Sequence, residues 1–244
     1  LVGSEMCIRD RDYANQKGIK IIGDMPIYVA ADSVEVWTKP ELFQLDEERN
    51  PLFVAGVPAD QFSATGQLWG NPLYAWEEHK KQGYAWWIHR IEESFKIYDV
   101  LRIDHFKGFS DYWQVDGKAE VAKDGSWQPG PGYDLFKAVK EQLGDLPIIA
   151  EDLGNIDDKA RKLLTDCNYP GMKILQFGFE DVSGESLDSP HYCIPHSIVY
   201  TGTHDNDVTN GWYNSLTEQQ QQYINDYTHR HEDESICQAM IRQL

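Results

Sequence analysis

The residues Val100-Leu-Arg-Ile103 form a short apolar run typical of a buried strand, and Asp104 follows it directly. Similar runs occur at residues 19–22, 146–150, 173–177 and 198–201. Helical periods lie between the runs, at 84–98, 133–143, 157–166 and 217–227. Strand and helix therefore alternate along the chain, and this order predicts an α/β fold with a parallel sheet.

Composition excludes several classes of protein for this chain of 244 residues. Asp and Glu number 40 against 22 Lys and Arg, which gives a formal charge of −18 and predicts no nucleic-acid or membrane partner. The four cysteines contain no CxxC pair, and no 18-residue apolar run or signal-peptide core occurs. We therefore expect reduced thiols and a cytoplasmic protein; the oligomeric state stays open.

Four of the apolar runs lead into an acid: Asp24, Asp104, Glu151 and Asp205. The carboxyl ends of the strands meet at one face of a (β/α)8 barrel, so acids placed there would converge although they are distant in sequence. The alternative is that each acid is only a helix N-cap or a loop residue. The repetition favours a shared site.

Asp104 and Glu151 have opposite expected environments. Arg102 lies two residues before Asp104, on the same face of the strand, and a neighbouring guanidinium favours the ionised form of a carboxyl group. Glu151 follows the apolar residues 147–150, a setting that raises a carboxyl pKa. Asp104 therefore suits a nucleophile and Glu151 a general acid, the pair used to cleave glycosidic bonds.

Asp205, with His204 beside it, suits binding of sugar hydroxyls, although a structural turn is the alternative. His105 could reach the same sugar or belong to the core. Histidines and acids near the end of the chain are of the types that bind metal ions: His191, His196, His204, Asp205 and Asp207. Their spacing matches no metal motif, so the prediction is that the protein uses no metal and no cofactor.

Residues 31–76 show no long period and are predicted to be an irregular insertion or a lid. The aromatic side chains of this segment either pack on the domain or stack on glucose rings: Trp37, Phe62, Trp69, Tyr74 and Trp76. Trp86 and Trp87, in the helical period, are expected to pack. Residues 1–11 show no clear period and are interpreted as a non-native leader, so the catalytic region is predicted to span 12–244.

Six motifs in one order carry a family resemblance: Arg102-Ile-Asp-His-Phe-Lys-Gly108, Ala150-Glu-Asp-Leu-Gly154, Val54-Ala-Gly-Val-Pro58, Thr65-Gly-Gln-Leu-Trp-Gly-Asn-Pro-Leu-Tyr74, Pro170-Gly-Met-Lys173 and Tyr200-Thr-Gly-Thr-His-Asp-Asn206. From about residue 17 onward the chain closely resembles the 4-α-glucanotransferases, also called amylomaltases or disproportionating enzymes. Lys107 stands where that family usually has Arg.

The resemblance implies a retaining transferase that moves α-1,4-glucan segments between maltodextrin donors and acceptors. It implies a partial (β/α)8 barrel, about strands three to seven, with an insertion after the first strand present. It also implies roles for particular residues: Asp104 as nucleophile, Glu151 as acid/base, Asp205 as transition-state carboxylate, Asp24, Arg102 and His204 as sugar ligands, and Phe62, Gln67 and Trp69 as contacts of a mobile loop. An α-glucan hydrolase and an inactive glucan-binding fragment are the alternative functions.

Overall fold

The computed structural model describes residues 2–59, 63–154 and 156–244, with side chains from Cys7 onward. Its helices are Val2–Gln16 (α1), Val34–Thr38 (α2), Trp76–Lys81 (α3), Ala85–Ser94 (α4), Tyr133–Leu143 (α5), Asp158–Cys167 (α6), Leu175–Gly178 (α7), Thr209–Ser215 (α8), Glu218–Thr228 (α9) and Ile236–Ile241 (α10). Its strands are Ile22–Met25 (β1), Phe53–Val57 (β2), Gln67–Pro72 (β3), Val100–Ile103 (β4), Asp111–Asp116 (β5), Ser126–Pro129 (β6), Ile148–Ala150 (β7), Gly171–Ile174 (β8) and Ser197–Tyr200 (β9). Short 3-10 helices occur at Pro40–Leu42, Phe106–Phe109 and Pro190–Tyr192. The chain forms two compact units, which divide between Tyr169 and Pro170.

A parallel sheet in the order β1-β4-β7 lies at the centre of the first unit. Leu101 and Ile103 of β4 are fully buried, and so is the inner face of α4, which carries Trp87 and Ile91. The core continues onto α5 through Leu135 and Val139. This arrangement confirms the α/β fold class, and the packing predicted for Trp86 and Trp87 is confirmed by their burial.

The first unit also contains an antiparallel sheet, in the order β3-β2-β5-β6, that the periodicity does not reveal. Two of its strands, β2 and β3, lie inside the segment 31–76, so the expectation that this segment is wholly irregular is wrong. Strand β3 contains Gly and Pro and is mostly exposed, so neither alternation nor a continuous apolar run marks it. Strand β2 is a short apolar run, and it joins β3 to β5, a partner distant in the chain.

The second unit consists of the parallel pair β8–β9 and the helices α7 to α10, which pack around Leu175, Phe179, Ile224 and Met240. A strand was expected over 173–177, but the strand ends at Ile174 and the next four residues form α7. The pairing with β9 covers only four residues, so the ladder gives no partner beyond Ile174. The buried Leu175 then packs from a helical turn.

Residues 2–16 are helical, although the sequence showed no clear period there. Arg11 joins this helix to the residue before β4, with its Nε 3.0 Å from Oδ1 of Asp99. The interpretation of residues 1–11 as a leader stays a prediction. Among the residues described, none of the helices is both long and apolar enough to cross a bilayer.

Candidate active site

Arg102 joins two acids at the carboxyl end of the parallel sheet. Its Nη1 lies 2.6 Å from Oδ2 of Asp24, on β1, and its Nη2 lies 3.2 Å from Oδ1 of Asp104. Parallel register places Asp24 directly beside Arg102, which explains why the fork of the guanidinium reaches both neighbours. The Arg102 side chain is 8% exposed, whereas those of Asp24 and Asp104 are 40% and 38% exposed. The two acids are therefore open to a ligand while their partner is not.

Main-chain hydrogen bonds extend the sheet by one residue on each of two strands. The Asp104 N–H donates to the Met25 carbonyl at 3.0 Å, and the Glu151 N–H donates to the Ile103 carbonyl at 2.9 Å. Asp104 and Glu151 therefore leave neighbouring strands at the same edge, as the run-then-acid pattern predicted. Rigid strands rather than mobile loops hold both backbones.

Glu151 lies in an environment that keeps its proton. Burial, followed by the negative charge of Asp104, raises the pKa of Glu151 from 4.5 to about 7. Hydrogen bonds from main-chain N–H groups and the charge of Arg102 act in the opposite direction. The His105 N–H donates to Oε2 at 2.7 Å, and the Leu153 N–H donates to Oε1 at 3.2 Å. At neutral pH this carboxyl can therefore both give and take a proton.

His105 lies between the sheet edge and strand β3. Its ring meets the Trp69 ring edge-on, with 4.9 Å between ring centroids, and Trp69 Nε1 donates to Oε1 of Gln67 at 3.2 Å. Burial and then the charge of Lys107 lower the pKa of His105 to about 4, so its ring is neutral at pH 7. The structure thus brings together three of the predicted sugar contacts: His105, Gln67 and Trp69. Phe62, a fourth, lies outside the described residues.

A second polar cluster near the site was missed by sequence reasoning. Lys107 Nζ lies 2.7 Å from Oδ2 of Asp157 and 4.7 Å from the centre of the Trp127 ring. Asp157 also caps α6, because its Oδ1 accepts the Ala160 N–H at 2.9 Å. The hydrogen bond from Lys107 is the largest cause of the lowered pKa of Asp157. The available signal was an Asp in the N-cap position before a helical period.

Asp205 and His204 lie in the second unit, in the turn that follows β9. His204 Nε2 is 3.5 Å from Oδ2 of Asp205, and both side chains are exposed. Asn206 accepts hydrogen bonds from the N–H and the hydroxyl of Thr203, and the Asp205 N–H donates to the same hydroxyl at 3.3 Å. The turn is thus ordered by its own polar side chains. Both the turn alternative and the sugar-binding role remain compatible with it.

The aromatic residues of segment 31–76 divide into packed and exposed ones. Tyr74 is buried and donates its hydroxyl to the Ile27 carbonyl at 2.7 Å, and Trp76 stacks on Trp87. Trp69 and Trp37 are open to solvent. Packing therefore explains Tyr74 and Trp76, and ligand stacking stays possible for the exposed pair.

Within the described part of the chain, one group of side chains has its donor atoms close enough to hold a metal ion, namely His89, Glu92 and Glu93 on the surface of α4. Exposed groups of this kind are common without a metal. Among the described residues, the histidines and acids near the end of the chain form no such group.

Residues 7–244 match the model of glycoside hydrolase family 77, which is described as 4-alpha-glucanotransferase. The chain belongs to this family. A 4-alpha-glucanotransferase of Streptococcus pneumoniae is 52% identical over 231 residues, which are 94% of this chain and 46% of that protein. One of Aquifex aeolicus is 45% identical over 233 residues, which are 95% of this chain and 48% of that protein. The chain spans about half the length of the curated relatives it matches.

Two solved structures of the family resemble this one. The amylomaltase from Streptococcus agalactiae in complex with acarbose has a TM-score of 0.96 and 57% identity, over 98% of this chain and 48% of that chain. The amylomaltase from Corynebacterium glutamicum has a TM-score of 0.73 over 98% of this chain and 33% of that one. The second is only 17% identical, so its likeness concerns the fold alone.

Proposed function

We propose that this chain carries the reaction centre of a retaining 4-α-glucanotransferase, which moves α-1,4-glucan segments between maltodextrins. The observation that supports this most strongly is the pair of carboxyl groups at neighbouring strand ends. Asp104 is paired with the buried Arg102, while Glu151 has a pKa raised to about 7. A carboxylate paired with a cation, next to a carboxyl group that retains its proton, is what double displacement at a sugar requires.

In the first step, a carboxylate oxygen of Asp104 attacks the anomeric carbon as the bond to the glycosidic oxygen breaks. Glu151 gives its proton to that leaving oxygen, and a β-linked glycosyl ester forms on Asp104. In the second step, Glu151 takes the proton of an acceptor 4-hydroxyl group, whose oxygen displaces Asp104 from the anomeric carbon. The product regains the α-linkage, and both carboxyl groups return to their starting states.

The remaining predicted residues would bind the sugar. Asp24 and Arg102 adjoin Asp104, which supports their placement at the cleaved unit. We propose that Asp205 and His204 grip ring hydroxyls there and that Asp205 stabilises the oxocarbenium-like transition state. The proposal uses no metal and no cofactor, and a cytoplasmic location stays a prediction.

Transfer rather than hydrolysis requires that water be kept from the glycosyl ester. The β2–β3 hairpin supports such a shield, because Trp69 lies against His105, next to the proposed nucleophile. A plain α-glucan hydrolase would use the same acids without such a cover. The exposed face of Trp69 would also offer an acceptor sugar a ring on which to stack.

The test places this chain within the full length of a relative, because the chain spans about half of that length. We would build a chimera in which residues 12–244 replace the matching segment of the Streptococcus pneumoniae 4-alpha-glucanotransferase, and treat it with a fluorinated α-glucosyl donor. Peptide mass spectrometry should find the glucosyl adduct on Asp104, and the chimera should disproportionate maltotriose. The matched control, Asp104→Asn, should show neither. A folded chimera that forms no adduct, or forms it elsewhere, would contradict the proposal.

A further inference from the structure

His105 has a backbone conformation that few side chains tolerate. Its φ and ψ are 48° and 51°, in the left-handed region, and it is not a glycine. Such a conformation costs free energy and persists only where the surroundings maintain it. Its consequence here is a short hydrogen bond, because the His105 N–H reaches Oε2 of Glu151 at 2.7 Å.

The imidazole ring is held on two sides. The edge of Trp69 meets it from strand β3, and Gly108 leaves room for it. A methyl group built on Gly108 would come 3.1 Å from Cδ2 of His105 and 2.7 Å from Cδ1 of Ile27. The ring is neutral at pH 7, so it acts as a packed wedge and not as a charge. Packing of the ring therefore maintains the strained backbone.

The other Glu151 oxygen is also tethered. Oε1 accepts the Leu153 N–H at 3.2 Å, and the main-chain carbonyl of Glu151 accepts the Phe106 N–H at 3.0 Å. A carboxyl group with one main-chain donor on each oxygen cannot rotate without losing a hydrogen bond. Each oxygen then keeps one remaining lone-pair direction for the transferable proton.

We propose that His105 is a positioning residue for Glu151: its left-handed backbone, wedged by Trp69 and Gly108, aims an N–H at Oε2 and so sets the direction in which the carboxyl proton points. This inference rests on the proposed function, in which Glu151 carries the proton. It separates two roles of His105, since the amide orients the acid while the ring supports the amide. It also makes a residue of the hairpin, Trp69, part of the support of the acid.

The experiment compares two variants that both lose the imidazole. Asn adopts the left-handed region readily, whereas Val, being β-branched, avoids it. His105→Asn should keep the amide in place, because Asn holds the left-handed conformation by its own preference and without the packed ring. His105→Val has neither the preference nor the ring and should turn the amide away. Because an N–H donor favours the charged carboxylate, its loss should raise the Glu151 midpoint by about one pH unit. The titration is followed by carbon NMR on the full chain labelled at Glu carboxyl carbons, and the signal is assigned by its loss in Glu151→Gln.

His229 supplies a matched control. It is also a histidine with φ 48°, and it ends α9 in the second unit. His229→Val imposes the same backbone penalty and should leave the Glu151 midpoint unchanged. Equal midpoints for His105→Asn and His105→Val, or an equal rise in His229→Val, would overturn the proposal.

A second measurement does not depend on whether His105→Val folds. In the unaltered chain with nitrogen-labelled histidine, the His105 amide proton should titrate with the same midpoint as Glu151, and this titration should vanish in Glu151→Gln. An amide proton that does not titrate, or titrates equally in Glu151→Gln, would overturn the proposal. Neither readout needs turnover. If donor labelling of Asp104 fails while the amide titrates, the proposed function is wrong and the positioning stands.

Discussion

Arg102 Nη2 lies 3.2 Å from Oδ1 of Asp104, while its Nη1 is occupied by Asp24 at 2.6 Å. One buried guanidinium therefore neutralises two acids that are themselves open to solvent. Burial acts to lower the pKa of Arg102, and the hydrogen bond and charge of Asp24, with the charges of Asp104 and Glu151, outweigh it and raise the pKa. Arg102 is thus the charge on which the arrangement of the acids depends.

Arg102→Met should lower the free energy of unfolding by about 2 kcal/mol. Without the guanidinium, Asp24 and Asp104 lose their cation while Glu151 lies nearby. Activity of the chimera should fall by about 100-fold or more. Arg102→Lys keeps the charge but not the fork, so it should recover stability better than activity. Urea unfolding and disproportionation rates measure the two effects. Arg161→Met, on the surface of α6, is the control and should change neither; equal losses there would contradict the assignment.

Ionisation of Glu151 should lower the free energy of unfolding as the pH rises from about 4.5 to about 7. Its pKa is near 7 in the folded chain and near 4.5 when unperturbed, so the folded state retains a proton that the unfolded chain releases. Glu151→Gln removes this titration. Between pH 4.5 and pH 8, the stability of the variant relative to the unaltered chain should rise by about 2–3 kcal/mol. Urea unfolding across this pH range measures the effect, and Glu48→Gln, at an exposed position, is the control. If the difference in free energy of unfolding between Glu151→Gln and the unaltered chain does not change with pH, the expectation is wrong.

His79 should have the opposite pH dependence. Burial lowers its pKa from 6.5 to about 4, and its Nε2 lies 3.1 Å from the Leu42 carbonyl. As the pH drops from 6.5 towards 4, His79 therefore binds a proton in the unfolded chain but not in the folded chain. The free energy of unfolding should fall over this range by up to about 3 kcal/mol. His79→Gln, which still offers a donor to Leu42, should flatten that fall. The exposed His89→Gln should leave it in place, and an equal slope in both variants would argue against His79.

Trp69→Ala should raise the ratio of glucose release to disproportionation on maltotriose in the chimera. Trp69 lies against His105, so its removal opens a path for water towards the glycosyl ester proposed on Asp104. Trp37→Ala is the matched control, since Trp37 belongs to the same segment and is 73% exposed. Chromatography of the products gives the ratio. An unchanged ratio in Trp69→Ala would remove the hairpin from the proposed shield.

Local pattern predicted much of the parallel layer. The helix predicted over 133–143 is α5, with the same bounds, and the strand predicted over 100–103 is β4. Helix α5 has a continuous apolar face and β4 is buried at three of its four residues, so their own residues dictate their form. The antiparallel sheet escaped prediction because β3 is exposed and β6 is nearly so. Such strands exist only through hydrogen bonds to partners elsewhere in the chain.

The sequence by itself determined that Asp104 and Glu151 follow the runs that form β4 and β7. It also determined that Arg102 shares a strand face with Asp104, because side chains two residues apart on a strand point to the same face. Only the tertiary structure decided that the fork of Arg102 also takes Asp24, that the pKa of Glu151 rises to about 7, and that the His105 amide holds its carboxyl group. Those properties arise from burial and from partners brought next to each other by strand register. Burial and these neighbouring partners exist only after the chain has folded.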